Sequence, residues 1–374
     1  MADRKKWSLT REGQGPIAQD IEAITALACF KLLIVAVFLK IGGQLSALGT
    51  NWDAEIYLRI ARFGYNNGDL PTYVFAPIFP WLTRFLALDY FGALVIANVF
   101  AVAAAFLVYR LSNLYGALLF SAFPTLVVFG TAAYADSMML FFLILAYFLY
   151  TRSRYLGMWI SVTLAFLTKY AVLLAVPLFI LLVAYKARSR QGGRLGAIAQ
   201  FVVPELWGVG IPSLALIGVM FWLQQAVGDP LAFVHLQAAW GASGLVDPFN
   251  QALWVLYGWF TNQPAVLVNG QPWEWLIRNY CFQAPIIILW IIAIRRGQWD
   301  LSVVGLPFAL FTLTTIGMPA ISTPRLILPA VWGLPIAYQK DLDRNLGALV
   351  LVLAFFITVG LLWLLQHAAG TFVA

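Results

Sequence analysis

Long apolar runs, each about the length of a membrane-spanning helix, constrain this chain more than any other feature. The first of them extends from about Ile24 to Leu48. Hydrophobic residues make up 62% of the 374 residues and charged residues only 10%, a balance far from that of a soluble globular domain. The runs have helical length, and the alternating pattern of a β-barrel is absent. The sequence therefore predicts an all-α polytopic membrane protein.

The apolar runs divide the chain into about eleven predicted transmembrane helices, several of them short or interrupted by proline. Together they form a single predicted integral-membrane domain over residues 1–374. The predicted spans are residues 24–48, 91–109, 114–131, 136–150, 155–169, 171–185, 201–224, 280–294, 301–318, 326–338 and 346–366.

Basic residues are distributed unequally between the two sides of these predicted spans. With the N-terminus inside, the cytoplasmic connections contain Arg110, Arg152, Arg154, Lys186, Arg188, Arg190, Arg194, Arg295, Arg296, Lys340 and Arg344. The opposite loops hold Arg59, Arg62, Arg84 and Arg278, besides Lys169 and Arg325 at the outer boundary. Because cytoplasmic loops are enriched in lysine and arginine, this asymmetry predicts a cytoplasmic tail over residues 1–20. The large segments 49–89 and 225–279 are then external loops, and we expect any chemistry at that extracytoplasmic face.

Several function classes find no support in the sequence. The net charge of +7 is spread over short loops and forms no patch, which argues against nucleic-acid binding. Cys29 and Cys281 both fall in apolar segments, so neither a disulfide framework nor a zinc spacing is indicated. The only histidines are His235 and His367, which does not support a histidine metal site. We therefore expect no cofactor, and the lack of a Gly-rich phosphate loop argues against nucleotide-driven transport.

The stretch from Asn51 to Tyr65 concentrates acids and arginines in a chain that is otherwise nearly uncharged. At helical spacing Asp53 shares one face with Tyr57, whereas Glu55 lies on another. The aromatic residues of the stretch are types that settle at the boundary between lipid and water. The stretch therefore predicts an amphipathic helix on the membrane surface with Asp53 at its start, and a purely structural interfacial helix is the alternative.

Three further charged residues lie close to the predicted membrane boundary. Asp136 stands at the outer lip of the fourth predicted span, where a carboxylate is costly unless it is paired. Helix capping, with Asp136 before Ser137 and an apolar run, is an equal alternative for this residue. Lys169 and Arg325 lie on the outer side, against the general trend for basic residues. An anionic headgroup or a phosphate substrate would explain both cations, and snorkelling to solvent is the alternative.

A third candidate site lies in the sequence from Gly228 to Gly241, which predicts a short helix after an Asp-Pro start. His235, Gln237 and Trp240 supply an imidazole, an amide and an indole. Groups of this kind that point one way bind sugars through hydrogen bonds and stacking. A lone histidine is more often structural, so this segment by itself is a weak indication.

In combination these segments resemble the PIG-V family of membrane mannosyltransferases. The matching blocks are, in order, Trp52-Asp53-Ala54, Tyr57-Leu58, Ile60-Ala61, Gly64-Tyr65, Phe79-Pro80, Tyr134–Ser137, Gly228–Phe233 with Gln237 and Trp240-Gly241, and Pro324-Arg325. They extend over most of the chain, from about residue 50 to 330. The family commonly has Glu at Asp136, Arg at Lys169 and Tyr at Leu326, so this chain keeps both charges but lacks that hydroxyl. It is also more compact than eukaryotic members, which suggests a prokaryotic relative.

The resemblance implies a GT-C fold and transfer of mannose from a dolichyl or polyprenyl phosphate to a lipid-linked acceptor. In that reaction Asp53 is the predicted base that deprotonates the acceptor hydroxyl. Arg325 and Lys169 would meet the charge of the leaving lipid phosphate, without an obligatory metal. With one base and no evident covalent nucleophile, we expect inversion at the anomeric carbon. The predicted substrate-binding residues are Tyr57, Tyr65, Asp136, Lys169, His235, Gln237, Trp240 and Arg325.

Other functions remain open on the sequence. A lipid or glycolipid transporter or flippase would predict charges in mid-span and inverted repeats, and neither is evident. A non-catalytic subunit of a glycosylation complex would keep the fold but tolerate loss of Asp53. Glucose, galactose or arabinose could replace mannose. The expected location is the plasma membrane of a prokaryote or the endoplasmic reticulum of a eukaryote, with membrane lipids and, in some settings, an accessory membrane subunit as further partners.

Overall fold

Helices make up nearly all of the computed structural model, which describes residues 15–65, 70–86, 89–190, 206–237, 267–268, 271–311 and 323–370. Within these residues, strand structure is limited to a short antiparallel pair, β1 (Leu267–Val268) and β2 (Gln271–Pro272). The predicted helical class is therefore confirmed for the part of the chain that is described.

Long and short helices alternate along the chain. In chain order they are α1 (Pro16–Lys40), α2 (Leu45–Thr50), α3 (Asp53–Phe63), α4 (Ile78–Phe85), α5 (Tyr90–Leu111), α6 (Leu114–Ala122), α7 (Pro124–Phe129), α8 (Asp136–Thr151), α9 (Tyr155–Thr168), α10 (Ala175–Arg190), α11 (Gly210–Val227), α12 (Ala232–His235), α13 (Trp273–Arg295), α14 (Trp299–Phe311), α15 (Thr323–Leu326), α16 (Leu328–Val331), α17 (Leu334–Ala337), α18 (Gln339–Arg344) and α19 (Leu346–Ala368). Short 3-10 turns occur at Leu70–Val74, Tyr170–Leu174 and Trp207–Val209.

Several of these helical segments are long and apolar enough to cross a membrane. The long ones are Pro16–Lys40, Tyr90–Leu111, Tyr170–Arg188, Trp207–Val227 and Leu346–Ala368. Shorter apolar helices are Asp136–Thr151, Tyr155–Thr168, Cys281–Arg295, Trp299–Phe311 and Leu328–Ala337. Helices satisfy their backbone hydrogen bonds internally, which hydrocarbon requires. The chain is therefore a membrane-embedded helical protein, whereas the number of spans and their orientation stay predictions.

The first helix lies closer to the N-terminus than the first predicted span. It begins at Pro16, inside the predicted tail, because proline in a first turn supplies a helical φ and lacks only an N–H that would have no partner there. It ends at Lys40. Just beyond it, Gly42 adopts a φ of +96°, and a side chain on Gly43 would collide with the Phe38 ring.

The span predicted over residues 114–131 is broken in two, and this break shapes the site. Pro124 has no N–H to continue α6, so α6 stops before it and α7 begins at Pro124. After α7 ends at Phe129, the chain turns inside the protein before α8 begins at Asp136. Residues 130–135 are all buried and are called the 130–135 turn below.

The helices around this turn form the interior of the bundle. α8 packs between α5 and α9, and its Leu143 and Ile144 are completely buried. α19 packs on α7 at Gly360, where an added Cβ would lie 2.8 Å from the Val127 side chain. The outer side of α19 exposes apolar residues such as Phe355, as expected of a helix that faces lipid.

Candidate functional site

Four charged side chains from separate segments come together near one end of the bundle: Asp53, Asp136, Lys169 and Arg325, called the charged cluster below. Arg325 donates to Asp136 Oδ2 through Nε at 3.0 Å and through Nη2 at 2.9 Å. Its Nη1 donates to Asp53 Oδ2 at 2.5 Å. Lys169 Nζ donates to Asp136 Oδ1 at 2.5 Å. With two carboxylates and two cations, the cluster is formally neutral.

Helix ends supply most of the cluster. Asp53 begins α3, Asp136 begins α8, and Lys169 directly follows α9, whereas Arg325 lies in the short α15. Asp53 follows Trp52, whose φ of +57° is unusual and costly for a bulky residue. Trp52 turns the chain sharply just before Asp53 pairs with Arg325, and this bend at Trp52 is called the elbow below. Backbone strain of this kind concentrates at functional sites, which supports the elbow as part of one.

Asp136 is the buried centre of the cluster. Its side chain is 0% exposed, and both of its oxygens accept hydrogen bonds from cations. It does not cap its helix, because Ala135 occupies the N-cap position of α8 and no side-chain cap bond forms there. A buried carboxylate is stable only when it is paired and hydrogen-bonded, as Asp136 is by Arg325 and Lys169. Its position favours a role in orienting the two cations.

Asp53 and Lys169 are the accessible ends of the cluster. Their side chains are 23% and 16% exposed, compared with 10% for Arg325. Asp53 Oδ1 makes no hydrogen bond with the described residues, and Lys169 uses one of its three N–H donors on Asp136. A hydroxyl can therefore reach a carboxylate oxygen, and an anion can reach an ammonium, without breaking a pair within the cluster.

Two aromatic rings also contact the Arg325 guanidinium. Its Cζ lies 4.6 Å from the centroid of Tyr134 and 5.1 Å from that of Phe129. Arg325 is buried, so it does not snorkel to solvent. A planar and weakly hydrated guanidinium suits this position against rings and carboxylates. Sequence reasoning missed both rings, because their contact with Arg325 has no local signal beyond the nearness of Tyr134 to Asp136 in the chain.

The first helix after the elbow has the predicted amphipathic division. Tyr57 and Ile60 are buried on one side of α3, and Glu55 and Arg62 are exposed on the other. The helix ends at Gly64, whose φ of +77° suits glycine. α3 therefore presents Asp53 and Tyr57 to the protein, and Glu55 and Arg62 to the surroundings.

Tyr57 lies beside the charged cluster. Its ring meets those of Phe79, at 5.1 Å between centroids, and Tyr134, at 6.5 Å, in edge-on contacts. Burial raises the pKa of Tyr57, and the nearby positive charge of Arg325 opposes this rise. The hydroxyl therefore remains protonated at neutral pH and can donate a hydrogen bond.

Tyr65 connects the first loop to α11. Its hydroxyl donates to the Phe75 carbonyl oxygen at 2.8 Å. Its ring contacts Trp222 at 4.9 Å and Tyr73 at 5.2 Å between centroids. These contacts support the fold of the loop, and the substrate-binding role of Tyr65 stays a prediction.

The predicted sugar-binding segment makes mostly local contacts. His235 Nδ1 pairs with Asp229 Oδ2 at 2.7 Å on the protein surface. The hydrogen bond with His235 lowers the pKa of Asp229. Gln237 Nε2 donates to the Phe233 carbonyl oxygen at 3.4 Å. Trp240 lies outside the described residues. The described contacts of His235 and Gln237 do not extend to the charged cluster, and their roles stay predictions.

The same segment nevertheless packs, through its apolar face, on the chain neighbour of one cluster residue. Phe233 packs on the Tyr170 ring at 5.0 Å between centroids, and Tyr170 is the chain neighbour of Lys169. The Tyr170 hydroxyl is buried and has no hydrogen-bond partner among the described residues. α12 therefore packs against the residue that follows Lys169 in the chain.

The end of α19 contacts the segment that carries Asp53. Asn51 Nδ2 donates to the carbonyl oxygens of His367, at 3.0 Å, and Ala368, at 3.2 Å. The His367 ring lies 5.6 Å from the Tyr134 ring, and its buried Nε2 has no partner among the described residues. Asn51 precedes the elbow at Trp52, so the last helix anchors the segment that presents Asp53.

No group of three or more His, Cys, Asp and Glu residues suited to a metal ion occurs in the part of the chain that the structure describes. No protein-family model matches the chain, and no curated protein matches it either. Function is therefore inferred from the charged cluster, the apolar helices that surround it and the sequence blocks that carry its residues.

Proposed function

We propose that this protein is a membrane glycosyltransferase that moves a sugar from a polyprenyl-phosphate carrier to a lipid-linked acceptor. The placement of Asp53 carries the proposal. Arg325 fixes one of its carboxylate oxygens, whereas the other has no hydrogen-bond partner among the described residues. The resemblance of the sequence blocks to PIG-V mannosyltransferases supports the same reaction, favours mannose as the sugar and implies a GT-C fold.

In this proposal the donor phosphate meets Lys169 first. Lys169 is the more exposed of the two cations and retains N–H donors beyond the one that Asp136 accepts. Arg325 adds its positive field and the N–H groups that its carboxylate partners leave unused. Each well-placed donor stabilises a developing oxyanion by about 3 kcal/mol, so two cations suffice without a metal ion.

The chemical step is a displacement at the anomeric carbon. The acceptor hydroxyl oxygen forms the new bond to that carbon while the bond to the phosphate oxygen breaks. The electron pair of the broken bond leaves with the polyprenyl phosphate, and Asp53 Oδ1 takes the hydroxyl proton. Asp136 cannot act as a second nucleophile, because both of its oxygens are held by Arg325 and Lys169. Transfer therefore proceeds with inversion.

The apolar helices fit two lipid-linked substrates. The polyprenyl chains would lie against the lipid-facing helices, with their polar ends at the charged cluster. The distribution of lysine and arginine along the sequence supports a cytoplasmic N-terminus and an extracytoplasmic active site.

The Asp53→Asn variant, reconstituted in lipid with polyprenyl-phosphate mannose and a lipid acceptor, tests the base assignment. We expect transfer to fall by about 100-fold or more, because the amide cannot accept the hydroxyl proton. Glu55→Gln is the matched control, since Glu55 is an exposed carboxylate of the same helix. Wild-type rates in a folded Asp53→Asn protein would rule out Asp53 as the base.

The same reconstituted system separates the alternative functions. Carriers of mannose, glucose, galactose and arabinose identify the sugar. Movement of a labelled glycolipid across the vesicle membrane, without transfer from any carrier, would indicate a flippase. Transfer that requires a co-purified partner and survives Asp53→Asn would indicate a non-catalytic subunit.

A further inference from the structure

Lys31 is a buried lysine in the middle of the first apolar helix, so the expectation that no ionisable residue lies in mid-span is wrong at this position. It is nine residues before Lys40, the end of α1, which corresponds to roughly 14 Å along a helix axis. An ionisable residue at such a position is costly and is a functional candidate by default. The reaction proposed above makes no use of it.

The described contacts of Lys31 include no carboxylate. Its Nζ donates to Thr131 Oγ1 at 2.7 Å, and that hydroxyl donates in turn to the Val127 carbonyl oxygen. The cavity beside Lys31 has room for about one water molecule, which is too little for a lipid phosphate. Thr131 is therefore the group through which Lys31 acts.

Thr131 belongs to the 130–135 turn, which polar bonds also hold from other helices. Asn98 of α5 donates to the Thr131 carbonyl oxygen at 3.0 Å. The Ala133 amide donates to the Leu48 carbonyl oxygen of α2 at 3.0 Å. Lys31 thus supplies the attachment of this turn to α1.

The turn leads directly into the charged cluster. Phe129, directly before the turn, and Tyr134, within it, contact the Arg325 guanidinium, and Asp136 follows the turn. Ser137 Oγ, at the start of α8, donates to the Ala97 carbonyl oxygen of α5. Ala97 directly precedes Asn98, which binds Thr131. The start of α8 and the residue that Lys31 contacts are therefore held by neighbouring positions of α5. A shift of the turn would displace the rings and the carboxylate together.

We propose that Lys31 is a positioning residue that holds the 130–135 turn through Thr131 and thereby sets the place of Tyr134 and Asp136 around Arg325. A lysine that only fills space would be better replaced by an apolar side chain, since burying an amino group away from water is costly. The effect of Lys31 on the turn is independent of the reaction, whereas its effect on rate rests on the proposed function.

The first test compares Lys31→Met with wild type in melting temperature and in sugar transfer. Methionine comes close to the length of the lysine side chain and lacks its amino group, so we expect a melting temperature equal to or above that of wild type. Transfer is expected to fall by about 10-fold, because small displacements at a reacting site reduce rates strongly. Lys40→Met, an exposed lysine of the same helix, should change neither quantity.

The opposite pattern would overturn the proposal. If Lys31 has only a structural role, transfer and melting temperature fall together in Lys31→Met. If transfer is unchanged, Lys31 does not position the cluster.

A second test needs no enzymatic activity. Thr131→Val removes the hydroxyl that accepts from Lys31, so it should lower the melting temperature of wild type and have a much smaller effect in Lys31→Met. Tyr134→Phe, a mild change at the far side of the turn, should combine non-additively with Lys31→Met. Additive shifts in both pairs would overturn the proposal. Coupled shifts in a protein without sugar transfer would retain the positioning role and reject the proposed function.

Discussion

Ion pairs occur at both ends of the helix bundle, and the two groups differ in burial. Near Asp53, the carboxylate of Asp136 is completely buried between two cations. At the opposite end, Arg296 pairs with Asp341 at 2.5 Å, and both side chains are 48% exposed. Exposed pairs contribute about 0–1 kcal/mol to stability, whereas burying each ion costs several kcal/mol that its partner offsets only in part. A cluster that is costly to bury is better explained by function than by stability.

The Asp136→Asn variant tests the difference between the two groups of ion pairs at the most buried carboxylate. Loss of the charge leaves Arg325 and Lys169 in a buried site without their shared partner. We expect the free energy of unfolding to fall by about 3–5 kcal/mol, measured by thermal melting in detergent or lipid. Asp341→Asn removes a carboxylate from the exposed pair and should change it by less than about 1 kcal/mol. Equal effects of the two changes would show that burial does not distinguish the two ends.

Arg325→Lys tests whether the geometry of the buried cation matters beyond its charge. An ammonium cannot reproduce the fork that joins Asp53 and Asp136, so we expect donor-dependent transfer to fall by about 100-fold. Lys169→Arg keeps a cation beside Asp136 and is expected to retain most of the rate. Retention of most of the rate by Arg325→Lys as well, measured as apparent donor affinity and turnover, would show that charge alone determines donor use.

Asn51→Ala tests the junction between the last helix and the elbow. The side chain donates to two carbonyl oxygens of α19 in a partly buried place, so we expect a loss of about 1–2 kcal/mol in unfolding free energy. Asn345→Ala is the matched control, because Asn345 makes a comparable bond to the Asp341 carbonyl oxygen in an exposed place. A larger loss in the control would contradict a special role for the junction.

Arg296→Gln gives the smallest expected effect. The exposed pair with Asp341 is screened by water and salt, so we expect a change within about 0.5 kcal/mol at low salt that becomes smaller still at high salt. Melting at low and high salt measures both quantities. A loss above about 2 kcal/mol would indicate that this end also depends on its charges.

Much of the fold could be predicted from the apolar runs. Hydropathy identified the helical membrane class, and the spacing of Asp53, Tyr57 and Glu55 predicted the two faces of α3. The ends of the helices could be predicted less well. The first helix begins before its predicted span, and the apolar run over residues 114–131 is broken at Pro124, since an apolar run sets where a helix can lie but not where it stops.

The site was predicted in part. Asp53, Asp136, Lys169 and Arg325 stood out because charges are rare in this chain, and the structure brings these four together. The segment that carries His235 approaches these four residues through Phe233, which packs on Tyr170 beside Lys169. The contacts of Lys31 and His367 could not be predicted, because each residue lies in an apolar run and its partners are distant in the chain.

The sequence by itself determined that the chain is a helical membrane protein and which few charges need an explanation, because burial of apolar residues and the cost of a charge near lipid follow from composition and local pattern. The tertiary structure decided that Asp136 is a pairing centre and not a helix cap, and that Arg325 is buried and not snorkelling. It also decided that Asp53 keeps an accessible oxygen. These outcomes depend on distances between residues up to 272 positions apart, and hydrogen bonds and ion pairs respond to distance and direction, which no local pattern contains.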